Sequence, residues 1–257
     1  MKILNACKVG IALTAAAFLG LATAQRADAI SFSLTDLGTL GGNYSYPGSI
    51  NEYGQVVGHS TTADGSERAF FWDNSSGMTN LGIIPPSGYN YCYDYYEYGY
   101  RYVPCPSSTS SYAVAINDLG QVIGTSTTIY SGNYYRPPYN YTEHYEQNVF
   151  LWDKNSGMIN LGTLGGKNQA TAINNYGQVI GYSVIADGQT RAFFWEKSSG
   201  MINLGTLGGD YSSANAINDY GQVIGSSVIA DGQTRAFLWE KSSGMSDLGT
   251  LGGNSSY

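Results

Sequence analysis

The chain has 257 residues, 12 of them basic and 19 acidic, for a net charge of −7. Only 12% of residues are charged, while 14% are aromatic and 34 are glycine. The acidic balance argues against nucleic acid or an anionic membrane as partner, since both reward clustered Lys and Arg, and the regular recurrence of apolar residues argues against a disordered chain.

Residues 1–29 read as a secretory signal peptide. Lys2 and Lys8 form a basic start, Val9–Ala24 is an apolar run of 16 residues, and Ala27-Asp28-Ala29 offers a small-x-small cleavage site. The run is short for a membrane span and no second one follows. Without the leader the chain keeps 9 basic and 18 acidic residues, a charge of −9. The expected location is therefore outside the cell, secreted or at the cell surface.

The remainder, 30–257, is a repeat domain. Ser31–Gly38 matches the last run of a repeat unit, and units follow at 39–82, 83–162, 163–205 and 206–249, with a partial unit at 250–257. Equivalent landmarks in the last two full units lie 44 residues apart, as at Asn174 and Asn218 or Trp195 and Trp239. A fixed period of this size marks units that bury their apolar faces only against neighbours.

Each unit resolves into four short β runs. In the last they are Ala214–Asn218, Gln222–Ser227, Arg235–Glu240 and Met245–Leu248. Asp219-Tyr220-Gly221, Asp231-Gly232 and Ser242-Ser243-Gly244 separate them as turns. The predicted fold is all-β: a β-propeller-like array of four-stranded antiparallel meanders, four complete and with partial ends, the layout of a truncated propeller. A linear stack of the same meanders is the runner-up.

The second unit carries two tyrosine-rich insertions, Ile83–Ser111 and Ile129–Gln147, which Pro85-Pro86, Pro104, Pro106 and Pro137-Pro138 are expected to keep out of regular sheet. In a meander, alternate turns lie at alternate ends, so both insertions should emerge from one end. Tyrosine offers wide contact area with a polar tip. Tyr95, Tyr96, Tyr98, Tyr134 and Tyr135 are the expected contacts for a glycan or an extended peptide. Cys92 and Cys105 are the cysteines left after export, and a disulfide between them would be worth about 3 kcal/mol in the chain-entropy model.

Other recurring polar residues have structural readings. Asn51, Asn117, Asn174 and Asn218 precede glycine at the spacing of an Asx-type turn. Asp64, Asp187 and Asp231 read as hairpin-turn residues, because one carboxylate per loop falls short of a calcium site. The tryptophans Trp72, Trp152, Trp195 and Trp239 read as core between units, and Arg191 and Arg235 as cover for the strand surface. No cofactor or metal site is expected.

Two functional readings remain. One is a non-catalytic binding or structural module. The other is a carbohydrate-active enzyme drawing on Asp94, Glu97, Glu143, His144 and Glu146, which sit in the insertions, whereas a glycosidase needs two carboxylates held on a rigid frame. No nucleophile or metal-binding motif supports catalysis, and the module is the stronger reading.

The motifs LGTLGG (Leu37–Gly42, Leu161–Gly166, Leu204–Gly209, Leu248–Gly253), AIN-x-x-GQVIG, and AF-x-W at Ala69–Trp72, Ala192–Trp195 and Ala236–Trp239 together resemble the HAF repeat family of bacterial extracellular proteins. Arg68, Arg191 and Arg235 replace that family's histidine, and the second unit reads Asn148-Val149-Phe150. The resemblance implies a secreted or surface-displayed propeller-like protein and brings no catalytic residues.

Overall fold

The turn chemistry that punctuates the sequence sets the strands. The computed structural model describes residues 33–85, 91–96, 99–104, 107–132 and 142–257, and the described residues contain strands and turns without a helix. The leader and Cys105, Tyr98, Tyr134 and Tyr135 lie outside them. Gly38–Tyr257 forms one body.

The first meander is β1 (Gly41–Ile50), β2 (Val56–Thr62), β3 (Glu67–Asp73) and β4 (Gly77–Asn80), each paired antiparallel with the next. A separate hairpin follows, β5 (Tyr91–Tyr96) with β6 (Gly99–Pro104). The second meander is β7 (Ser107–Ile116), β8 (Val122–Gly132), β9 (Thr142–Asp153) and β10 (Gly157–Asn160). The third is β11 (Gly165–Ile173), β12 (Val179–Ile185), β13 (Thr190–Glu196) and β14 (Gly200–Asn203); the fourth is β15 (Gly208–Ile217), β16 (Val223–Ile229), β17 (Thr234–Glu240) and β18 (Gly244–Asp247). A single parallel pair, Thr190 with Tyr211, joins these last two into one eight-stranded sheet.

The four-run unit is thus observed, with a first strand longer than its expected run. Of Ser31–Gly38, which matches the last run of a unit, the described residues 33–38 form no strand. The insertions also differ from expectation. β5 and β6 lie within the first, and β8 and β9 extend into the second, pairing as far as Gly132 with Thr142. Tyr, Thr, Val and Ile fill these stretches, and β propensity outweighs the prolines, which cluster outside most of the paired positions.

Interior meanders bury both faces, which is why their second and third strands read as continuous apolar runs. Each gap between successive meanders holds one core. Between the first and second are Val57, Phe71 and Leu81 against Ala113, Val122 and Phe150. The next has Ile123, Leu151 and Leu161 against Ala170, Val179 and Phe193, and the last Ile180, Phe194 and Leu204 against Ala214, Val223 and Phe237. Of the four tryptophans expected between units, Trp152, Trp195 and Trp239 close one gap each and Trp72 lies in none; Trp152 lies 5.5 Å from Phe71 and Trp239 5.3 Å from Phe194, centroid to centroid.

The expected propeller is not formed. No sheet closes or curls, and the extensive contacts between meanders run from each to the next, through β7, β11 and β15. Val57, Ile123 and Ile180 are fully buried by the following meander, whereas Ile224, at the same position in the fourth, is 48% exposed. Leu248 is exposed where Leu81, Leu161 and Leu204 are buried. Ring closure would cover this side; here the units stand as an open series.

Polar ladders tie the series together. Asn51 Nδ2 donates to the Asn117 carbonyl (3.0 Å), Asn117 Nδ2 to that of Asn174 (2.9 Å), and Asn174 Nδ2 to that of Asn218 (2.9 Å). Within each turn the asparagine Oδ1 accepts from two backbone N–H groups, as at Tyr176 and Gln178. The Asx-turn reading holds, and the amide does a second task between units. The hairpin aspartates also behave as expected, with Asp64, Asp187 and Asp231 accepting from the N–H two residues on. The arginines do more than cover strands. Arg68 Nη1 donates to the Thr109 carbonyl (2.7 Å) and Arg191 Nη1 to that of Asp210 (2.6 Å), joining each third strand to the next unit.

Candidate binding site at the insertion end

Register roots both insertions together. Ser107 of β7 pairs with Tyr130 of β8, which pairs with His144 of β9. In the separate hairpin, Tyr93 lies opposite Tyr102 and Tyr95 opposite Tyr100. Directly opposed residues share a face and alternate residues repeat it. Positions 91, 93, 95, 100 and 102, all tyrosine, therefore line one face of the ribbon. Tyr95 and Tyr96 are successive positions of β5, while Tyr98, Tyr134 and Tyr135 lie outside the described residues.

Cys92 pairs by backbone with Val103. Cys105 lies outside the described residues, and no disulfide is found among the described residues. Of the acidic candidates, Asp94 lies opposite Arg101, Glu143 opposite Ser131 and Glu146 opposite Thr128, while Glu97 lies outside the described residues. Among the described residues no group of three or more His, Cys, Asp or Glu side chains could hold a metal ion.

A cluster that sequence reasoning missed lies at the boundary of the first two meanders, toward this same end. His59 of β2 sits between Tyr46 of β1 and Tyr112 of β7, with ring centroids 5.2 and 5.0 Å away. Tyr44 stands 5.3 Å from Tyr46. Glu67, the first residue of β3, accepts from the hydroxyls of Tyr112 and of Tyr44 (2.6 Å). The one sequence signal was a histidine and three tyrosines at positions where the other units carry mostly small or amide residues. Tyr46 is 55% exposed and caps the cluster toward solvent.

Electrostatics fix the protonation states. The hydroxyls of Tyr112 and Tyr44 hold the Glu67 carboxyl below its ordinary value of 4.5. Tyr44 is pushed up to about 12, first by its hydrogen bond to Glu67. Burial raises Tyr112, with Glu67 adding to it. Burial lowers His59 from its ordinary 6.5, against the opposing pull of Glu67. Near neutrality Glu67 is charged and His59 neutral.

Both shifts act in one direction on stability. A depressed folded-state pKa contributes stability above the unfolded value and loses it as pH falls through the folded one. The melting temperature is expected to decline below the ordinary 6.5 of His59 and again below the ordinary 4.5 of Glu67. Thermal melts across pH should show the first limb vanish in His59→Phe and the second shrink in Tyr112→Phe. A parent-like acid profile in both variants would refute the assignment.

No protein-family model and no curated protein matches the chain. The resemblance to the HAF repeat family is accordingly set aside: no family model carries it, and the open series lacks the propeller that it implied. Among solved structures the chain is similar to TolB from Acinetobacter baumannii, at 10% identity and a TM-score of 0.43, over 82% of this chain and 44% of that one. It is also similar to an arginine-to-alanine triple mutant of AofleA from Arthrobotrys oligospora, at 14% identity and a TM-score of 0.37, over 80% of this chain and 56% of the other. The chain thus spans about half the length of each. No helix among the described residues is long and apolar enough to cross a membrane.

Proposed function

We propose that the chain is a non-catalytic binding module of an exported protein, taking an extracellular glycan or an extended peptide at the insertion end. The observation that carries this reading is the row of five tyrosine positions along one face of the β5–β6 ribbon. Aromatic rings spaced along a ribbon suit a ligand that is itself extended, stacking on apolar sugar faces or peptide side chains. The Tyr46–His59–Tyr112 cluster supports it by adding aromatic surface toward the same end, on a frame whose ladders hold it rigid. Tyr96, Tyr98, Tyr134 and Tyr135 are proposed as further contacts at the insertion end, outside that row. The leader-like residues 1–29 support an exported setting.

Arrays of glycans and peptides probed with the secreted protein should give a ligand whose binding weakens at least about tenfold when Tyr93, Tyr95, Tyr100 and Tyr102 are changed together to serine, given roughly 0.5–1.5 kcal/mol per aromatic contact. Far-UV circular dichroism should show the frame intact. Parent-like binding by the folded variant would remove the insertions from the site.

A further inference from the structure

The outer face of the fourth meander and that of the first have no neighbouring meander, and they are the two halves of one interface. In each of the three gaps, the isoleucine that ends a first strand shares a core with a residue of the preceding meander's second strand. Ile116 lies with Val57, Ile173 with Ile123 and Ile217 with Ile180. Ile50 and Ile224 hold these two positions at the outer faces, and they are 66% and 48% exposed. The polar ladder shows the same division. Asn218 Nδ2 reaches only Gln222, where the other three asparagines also donate onward to the next unit. The Asn51 carbonyl accepts only from the Gly54 N–H among the described residues. One face carries the donor and the other its matching acceptor.

Residues 250–257 fill part of the seat on the fourth meander. Their sequence, TLGGNSSY, repeats TLGGNYSY of residues 39–46 at seven of eight positions. The Ala236 N–H donates to Ser256 Oγ (2.9 Å) and Arg235 Nη1 to the Asn254 carbonyl. Ala192 and Arg191 make the same bonds to Ser212 and Asp210 of the next unit. Thr250 and Thr39 close the same turn, onto the carbonyls of Gly253 and Gly42. Yet no described second strand stands behind this segment. The Leu40 N–H donates to Ser60 Oγ of β2 (2.9 Å), whereas Leu251 is fully exposed, and Ile224 and Leu248 stay uncovered.

We infer that the outer face of the fourth meander is a docking surface for a second copy of this chain, which enters with its first meander, head to tail. Residues 39–46 of the incoming copy take the place of residues 250–257. The exchange itself is close to neutral, because Ser45 and Asn43 offer Ala236 and Arg235 the same oxygens that Ser256 and Asn254 offer. Its gain is the hairpin that comes with the strand. Ile50 then lies on Ile224, and Asn218 Nδ2 reaches the Asn51 carbonyl, which continues the three established interfaces by one. Burial of the two isoleucines and of Leu248 drives the association. Because the two faces differ, a pair of copies keeps one of each open and further copies add in series. The inference uses no residue of the insertion end and stands apart from that reading.

Sedimentation velocity of the protein over a concentration series is the test. The mean mass should rise with concentration. Ile50→Asp and Ile224→Asp should each weaken association about tenfold or more, as the loss of one buried isoleucine implies. Both variants should melt like the parent, because both side chains are exposed. Mixed together they should associate again but stop at a one-to-one dimer, since each keeps one sound face. Removing residues 250–257 should tighten association, because nothing then has to be displaced. Serine at the four insertion tyrosines should leave association unchanged, which separates this face from the proposed ligand site. A parent that stays monomeric throughout, a mixture that fails to associate, or either variant alone associating as tightly as the parent would each overturn the inference.

Discussion

Alanine at Gly181 is expected to destabilise the protein by about 3 kcal/mol or more, far beyond what adding one methyl to a strand would suggest. The backbone of Gly181 is not in the left-handed region, so the effect is one of space. A Cβ there would stand 2.0 Å from the Gln169 carbonyl oxygen and 2.9 Å from the Ala170 Cα. The cause is a register shift between Ala170 and Ala172, which presses the first strand against the second. The same closeness recurs at Gly58, Gly124 and Gly225. Gly188 is the control: its φ is +85° but open space surrounds it, so alanine there should cost only about 1 kcal/mol of backbone strain. Urea denaturation of both variants checks this, and equal midpoints would contradict the bulge as the cause.

The second large effect compares one substitution at two copies of one motif. Asn174→Ala should cost about 3 kcal/mol or more, and Asn218→Ala about 1 kcal/mol. Asn174 is 4% exposed; its amide donates to Gln178 and to the Asn218 carbonyl, and its oxygen accepts from Tyr176 and Gln178. Removing this buried side chain deletes four hydrogen bonds, one of them across a unit boundary. Asn218 makes the same bonds within its turn but is exposed, and its amide reaches only Gln222. Water can satisfy what its loss uncovers. Hydrogen exchange should show the Asn174 variant opening the third and fourth meanders, with the Asn218 variant confined to its own turn. Losses of equal size at the two sites would show that the ladder carries no coupling between units.

Much of this was legible without coordinates. The 44-residue period, the four runs per unit, the Asx turns at Asn51 and its copies, the aspartate hairpins and the tryptophan cores follow from turn chemistry and alternation, which act over a few residues. The same local rules misjudged the insertions, because proline content was weighed above the β propensity of tyrosine and threonine. Tertiary structure alone decided the rest. Local pattern is identical in a closed ring and an open series, and only the exposure of Ile224 and Leu248 against their buried counterparts separates the two. Nor could spacing show that Tyr44, Tyr46, His59, Glu67 and Tyr112 converge, since Tyr112 reaches Glu67 across a boundary 45 residues long. Sequence determined each unit, because a unit is built from neighbours in the chain; its faces, ladders and clusters form between units, where packing sets the distance.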